Sequence, residues 1–216
     1  MARWRPPCAR GRGAGSTPTS TRTDRRAGLS VTMDADALEQ LIHRRASGMT
    51  IDRERPVERN WVERIVNAAV AAPNHRKTRP LRVAVLQGDS RLAFGESVAA
   101  VMERNGEDSA RVEKTRTKYG RAPVVLAVAS SPGESALETE ENRYSVAAGI
   151  QNMLLMIESF GLTALWSTPM SGAEAEMNSF CGFETDATMI GLVYLGHGTR
   201  PAPPRDRPAP VVNWLG

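Results

Sequence analysis

Apolar residues recur along the chain with two periods, helical and extended, and the switches between them predict its elements. Leu38, Leu41 and Ile42 fall at helical spacing. Asp36 with Glu39 reads as a capping box opening that helix, with Asp34 as the other candidate cap. Gly48 breaks it. Pro56-Val57 opens a second helix with Trp61, Ile65, Ala68, Ala69 and Ala72 on one face; Pro73 stops it, because the residue before a proline is pushed out of the helical region. Leu81–Leu86 is apolar enough to predict a central strand. Phe94, Val98, Val101 and Met102 mark a helix that ends at Asn105-Gly106, and a charged helix over 108–118 reads as a solvated surface element. Ala122–Ala129 is a second, buried strand.

The longest helix is predicted over 135–160. Its second half is apolar on nearly every side, so it must be buried on every side. In a domain of this size a second subunit can supply that cover. A third strand follows over 162–166, a short helix over 172–181 with Met177 and Phe180 inward, and a fourth strand over 188–196. A proline-rich arm, 199–210, ends in the apolar residues Val211–Leu215, the form of a segment that wraps a neighbour. Helices and strands mix without a βαβ alternation. The reading is α+β: a central, mostly antiparallel sheet flanked by helices.

Charge changes this picture only at the N-terminus. The net charge of +4 and a pI near 9.5 suggest a nucleic-acid binder. Seven arginines against Asp24 give residues 1–32 a charge of +6, which leaves −2 for the rest. The basicity therefore belongs to a tail rich in Arg, Gly, Pro, Ser and Thr, expected to be disordered, and a nucleic-acid partner is not expected. Met33 directly precedes the first helix, so 1–32 reads as an upstream extension and 33–216 as the folded domain. The most apolar segment, 146–157, holds Gln151 and Asn152 and is too short to span a membrane. Two cysteines, one in the tail, make no disulfide framework, and three histidines show no metal-ligand spacing. The expected compartment is the cytoplasm.

No G-x-G-x-x-G turn follows a strand, and P-loop, G-x-S-x-G and zinc signatures are absent. What remains is a set of cationic and polar loops without an evident acid, base or nucleophile, a profile that suits a protein whose cofactor carries the chemistry. The densest is Ala72–Pro80, closed by prolines and carrying His75, Arg76, Lys77 and Arg79. Taken alone it is a solvated basic turn or a site for an anionic, hydrogen-bonding ligand. Arg44 and Arg45, at a fraying helix end, can diverge around one anion or complement the helix dipole.

Taken in order, these pieces resemble the flavin-dependent nitroreductase family, in its short single-domain branch. They are Leu41-Ile42-His43-Arg44-Arg45-Ala46, Ala72-Pro73-Asn74-His75 with Arg79-Pro80, Arg121-Ala122-Pro123, Asn142-Arg143-Tyr144-Ser145 through Asn152, Leu165-Trp166-Ser167-Thr168 and Gly191–Gly196. The resemblance implies a domain-swapped homodimer with two FMN sites at its interface. It implies that Arg44, Arg45 and Ala46 hold the flavin, chiefly its phosphate, with an arginine of the C-terminal arm, Arg207 ahead of Arg205. His75 and Arg79 would contact it from the loop, and Trp166, Ser167 and Thr168 from the other side. Arg79 or Lys77 would set a cation at the polar edge of the ring. Three positions depart from the pattern: Ala46 where relatives usually have Ser, Arg79 where they often have Gln, and Leu81 where many have Trp. The activity implied is hydride transfer from NAD(P)H to a nitro compound or quinone by a ping-pong route. The alternatives are a specialised flavin oxidase or dehydrogenase on the same fold, and a flavin-binding or storage protein without turnover.

Overall fold

A computed structural model describes residues 34–201 and 206–216. The extension expected over 1–32 lies outside them, as does Arg205. The elements, in order, are α1 (Ala35–Arg44), α2 (Arg59–Ala68), β1 (Leu81–Gln87), α3 (Ser90–Arg104), α4 (Ser109–Lys118), β2 (Val124–Ser130), α5 (Ala136–Ser159), β3 (Thr163–Ser167), α6 (Glu174–Cys181) and β4 (Thr188–Gly196). Most bounds lie within a residue or two of those predicted. Asp36 sits inside the first turn of α1, so it does not open a capping box there. The second helix starts later than expected: Val57 is buried and Glu58 is extended, so the chain turns helical only at Arg59. Its end continues as a 3₁₀ turn, Ala69–Ala71. Ser135 and Asp108 cap α5 and α4 through their side-chain oxygens.

Four strands form one sheet in the order β1-β2-β4-β3, and every pair is antiparallel. The α+β reading with an antiparallel sheet holds. One expectation is corrected: β1 is an edge strand. An apolar run shows that a strand is covered; it does not show that strands flank it on both sides. β2 and β4 are the central pair, and Val124–Ala129 are fully buried. Helices cover both faces. Val124, Leu126, Val128, Val193 and Leu195 pack toward α2 and α5, whereas Val125, Ala127, Ala129, Leu192 and Tyr194 pack toward α3, α4 and α6. Alternate side chains of a strand point to opposite faces, so each central strand feeds two cores. α5 crosses the sheet along its length, from the end of β2 to the start of β3. Gly149 lets it approach the 3₁₀ turn after α2 closely: a Cβ there would sit 3.1 Å from the Ala69 carbonyl oxygen. Trp61 of α2 stacks on Phe160 just past α5, with ring centroids 5.0 Å apart. Among the described residues no helix is long and apolar enough to cross a membrane.

Candidate functional site

The last turn of any α-helix leaves carbonyls without helical partners. At the end of α1 a residue of the C-terminal arm answers them. Arg207 Nη1 donates to the His43 carbonyl at 2.9 Å and the Ile42 carbonyl at 3.5 Å, and Nη2 to the Arg45 carbonyl at 2.6 Å. Arg44 Nε donates to Glu158 Oε1 of α5 at 2.9 Å. Arg44, Arg45, Ala46 and Arg207 are thus gathered at one helix end. The chain then runs beside β3: Ser47 bridges Ala164, and the Gly48 N–H donates to the Ala164 carbonyl at 2.9 Å. β3 ends in Trp166 and Ser167, with Thr168 next.

Trp166 lies against β4 at a point where only glycine fits. A Cβ on Gly191 would come within 1.9 Å of the indole Nε1. On the opposite face of β3, Ser167 lines a cavity of about 110 Å³ with Gly48, Met49, Lys118, Arg121 and Tyr194. Neither Lys118 nor Arg121 has a carboxylate partner among the described residues. Burial pushes the Lys118 ammonium down to about 8, and the nearby Arg121, Arg111 and Lys114 add to the shift.

The central loop is a separate construction. Asn74 organises it: Oδ1 accepts from the Arg79 N–H at 2.8 Å, and Nδ2 donates to Thr78 Oγ1 at 3.0 Å. Thr78 Oγ1 donates to Asn142 Oδ1 of α5 at 2.5 Å, and Asn142 is 1% exposed. His75 Nδ1 lies 3.0 Å from Glu141 Oε1. The other Glu141 oxygen is buried without a hydrogen-bond partner among the described residues. Arg76, Lys77 and Arg79 all have positive φ, 61°, 56° and 53°. Such conformations cost about 1–3 kcal/mol each in a non-glycine residue and persist where surrounding contacts fix them. Beside the loop, between the 3₁₀ turn that follows α2 and the first half of α5, is a cavity of about 330 Å³ that Arg79 lines.

The two groups are far apart in the chain. Arg44 and His75 pair with Glu158 and Glu141, seventeen positions apart on α5. At 1.5 Å per residue that is about 25 Å along the helix. The loop leads into β1 and the arginine cluster abuts β3, the two opposite edges of the sheet. A ligand pocket does not span that distance.

The sequence model of the Nitroreductase family matches residues 42–197, which includes the arginine pair, the loop, α5 and β4. The chain belongs to the nitroreductase family. Membership makes it an oxidoreductase. It is 25% identical over 166 residues to the Escherichia coli K12 protein named "Putative NAD(P)H nitroreductase YdjA", a match covering 74% of this chain and 87% of that protein. Its fold is that of a nitroreductase-like protein from Bacillus cereus (TM-score 0.70, 18% identity, 80% of this chain and 91% of that one). It is equally that of a Bacteroides fragilis nitroreductase solved with bound FMN (TM-score 0.66, 17% identity, 83% and 98%).

Several residues of the candidate site carry no signal of their own in the sequence. Glu141, Asn142 and Thr78 hold the loop; Asn142 falls in a family-like segment, whereas Glu141 and Thr78 stand outside those segments. Lys118 and Arg121 line the Ser167 cavity; the charged pattern of α4 hides Lys118 among solvated neighbours. Ala46, half-buried beside Arg45, offers only backbone groups, whereas the neighbouring Ser47 has a hydroxyl.

Proposed function

We propose that residues 33–216 form a cytoplasmic, homodimeric, FMN-dependent oxidoreductase that passes hydride from NAD(P)H to an electron-poor acceptor, a nitro compound or quinone. The observation that carries this reading is the convergence of Arg44, Arg45 and Arg207 on one helix end. Guanidinium groups match a phosphate dianion in charge and in bidentate geometry. Arg207, anchored by three carbonyls, holds the arm in place beside the pair. Arg207 spends its Nη groups on those carbonyls, so the residues that fit the phosphate end of a flavin mononucleotide are the paired arginines Arg44 and Arg45. The Ala46 and Ser47 backbone completes that end, and Trp166, Ser167 and Thr168 flank it.

His75 and Arg79 serve the same cofactor from the partner protomer, which explains why one chain holds them about 25 Å away along α5. Glu141 Oε1 lies 3.0 Å from His75 Nδ1, which leaves Nε2 for the ligand. Arg79, with Lys118 and Arg121 across the site, supplies fixed positive charge where negative charge develops on the ring's polar edge. Held by Arg44 and Arg45 at one end and by His75 and Arg79 at the other, a flavin would supply the hydride relay between NAD(P)H and the acceptor. One open site serving both in turn makes the kinetics ping-pong. The chain's own contribution is binding, orientation and that preorganised charge.

The test is direct. Purified protein carries, or takes up, one FMN per chain with a flavin absorption spectrum, and consumes NAD(P)H steadily with a quinone. Binding without consumption reassigns the chain to flavin storage. A colourless protein that ignores added FMN removes the proposal.

A further inference from the structure

Lys118, Arg121 and Tyr194 meet at the cavity of about 110 Å³ that Ser167 borders. The Lys118 ammonium lies 4.9 Å from the centroid of the Tyr119 ring. Burial lowers its pKa, and among the charges that add to the shift Arg121 stands first, ahead of Arg111 and Lys114. Burial raises the pKa of the Tyr194 phenol, and Arg121 opposes that rise. Charges act most strongly at short range, so one guanidinium felt by both groups sits close to both. No acidic residue lines the cavity, and neither cation has a carboxylate partner among the described residues. On α4, Arg111, Lys114 and Lys118 recur at i, i+3 and i+7, the spacing of one helix face, so the helix brings more charge of the same sign. Met49 and Arg121 also line a wider groove of about 590 Å³ with Leu92 and Arg91, and the Gly88 and Ala122 carbonyls hold the Arg91 guanidinium. The acidic residue of that groove, Glu54, is paired with Arg53.

The cavity falls well below the roughly 300–1,000 Å³ of a whole-ligand pocket, so it takes one group of a ligand. Two unneutralised cations and a phenolic donor select a dianion, and a guanidinium fork beside an ammonium suits phosphate. The groove, with its mixed apolar and cationic wall, takes the organic body attached to that phosphate. We infer that Lys118, Arg121 and Tyr194 bind a phosphate monoester dianion, with its organic body in the groove beside Arg91 and Leu92. The site stands on this geometry alone. That its ester is the 2′-phosphate of NADPH, which NADH lacks, rests on the flavoenzyme reading and on Ser167, which borders both this cavity and the proposed flavin site.

Two arms test it on the full chain. In the first, adenosine 2′-monophosphate, inorganic phosphate and adenosine are titrated in, with binding of the phosphates followed by ³¹P NMR and of adenosine by calorimetry. The nucleotide binds and adenosine does not. Arg121→Gln weakens the nucleotide by about ten-fold or more, and Tyr194→Phe by about three-fold. The wild type alone supplies a further check: between pH 7.5 and pH 9 the ester keeps its charge, since its pKa is about 6, while Lys118 releases its proton, so affinity falls several-fold. In the second arm the FMN-loaded enzyme is given NADPH or NADH. The wild type favours NADPH by about ten-fold or more in kcat/KM, through KM, and Arg121→Gln removes the preference; the ratio cancels any effect of the substitution on the flavin. Equal kcat/KM for the two dinucleotides overturns the NADPH assignment and, where inorganic phosphate binds as tightly as the nucleotide, gives the site to free phosphate. No binding of either phosphate, or binding that neither Arg121→Gln nor pH alters, overturns the inference, and steady NADH consumption then leaves the oxidoreductase reading intact. A protein that holds no FMN removes that reading, and the ³¹P arm still decides the phosphate site.

Discussion

Lys118 shows how much of a site can hide in one side chain. It ends a helix whose charged pattern reads as solvent-facing, and its neighbours Arg111 and Lys114 are exposed as that pattern predicts. The last turn nevertheless tucks the ammonium over the Tyr119 ring, 4.9 Å from its centroid, beside the Ser167 cavity. Sequence spacing carries no trace of this, because the residues that share the cavity lining with it, Gly48, Met49, Ile51, Leu165 and Ser167, are distant in the chain. The consequence is a pH dependence with a definite sign. The folded pKa, about 8, lies below that of an unfolded lysine, about 10.4. Over roughly pH 8–10.4 the unfolded chain therefore keeps a proton that the folded chain has released. This group's contribution then rises with pH through that window and is constant below it. Urea unfolding of wild type and Lys118→Met at pH 7 and pH 10 checks this: the wild type gains on the variant at the higher pH. A difference that does not change with pH would place the ammonium in solvent. An anion in the cavity favours the charged form, so its affinity is full below pH 8 and declines above.

The elements differ in how much the chain's pattern reveals of them. α5 and β4 are legible almost to the residue, because a long apolar helix and a strand ended by Gly196 have few alternatives. β1 is legible as a strand and illegible as an edge, since strand order depends on pairings the local pattern does not encode. α1 is legible as a helix, yet its stability is unusual. It has no buried residue, and Leu38 and Ile42 are 37% and 41% exposed. Two arginines hold it: its own Arg44 on Glu158, and Arg207 of the arm on the carbonyls of its last turn. Hydrogen bonds from charged donors are worth about 1.5–3 kcal/mol each in buried settings and less where exposed. Arg207→Gln should therefore loosen α1 selectively. Hydrogen exchange should show amide protection in α1 falling by roughly ten-fold, about 1.4 kcal/mol, with β2 and β4 unchanged, and FMN affinity should fall with it. Uniform loss of protection across the sheet would mean that Arg207 holds the whole fold.

At the scale of the molecule, the two halves of the proposed site sit at opposite ends of α5, and apolar groups lie exposed on the elements beside them. Among the described residues, Leu38 and Ile42 on α1 and Leu137 on α5 are partly exposed, and Val211, Trp214 and Leu215 on the arm are almost wholly so. A twofold axis that brings the Arg44 end of one chain to the His75 loop of the other would cover these groups and build two identical sites, each from both chains. The idea has a quantitative consequence. A protein carrying His75→Ala and Arg79→Ala lacks the loop half of both sites, and one carrying Arg45→Ala and Arg207→Ala lacks the phosphate half of both. Neither homodimer binds FMN well. When the two are unfolded together and refolded, about half the dimers are mixed. Each mixed dimer unites the intact arginine end of one chain with the intact loop of the other, giving one whole site and one doubly broken one. About a quarter of the wild-type FMN capacity should return, measurable by flavin fluorescence quenching at saturating protein. If both halves of the site served one FMN within a single chain, no mixture of the two variants could restore any.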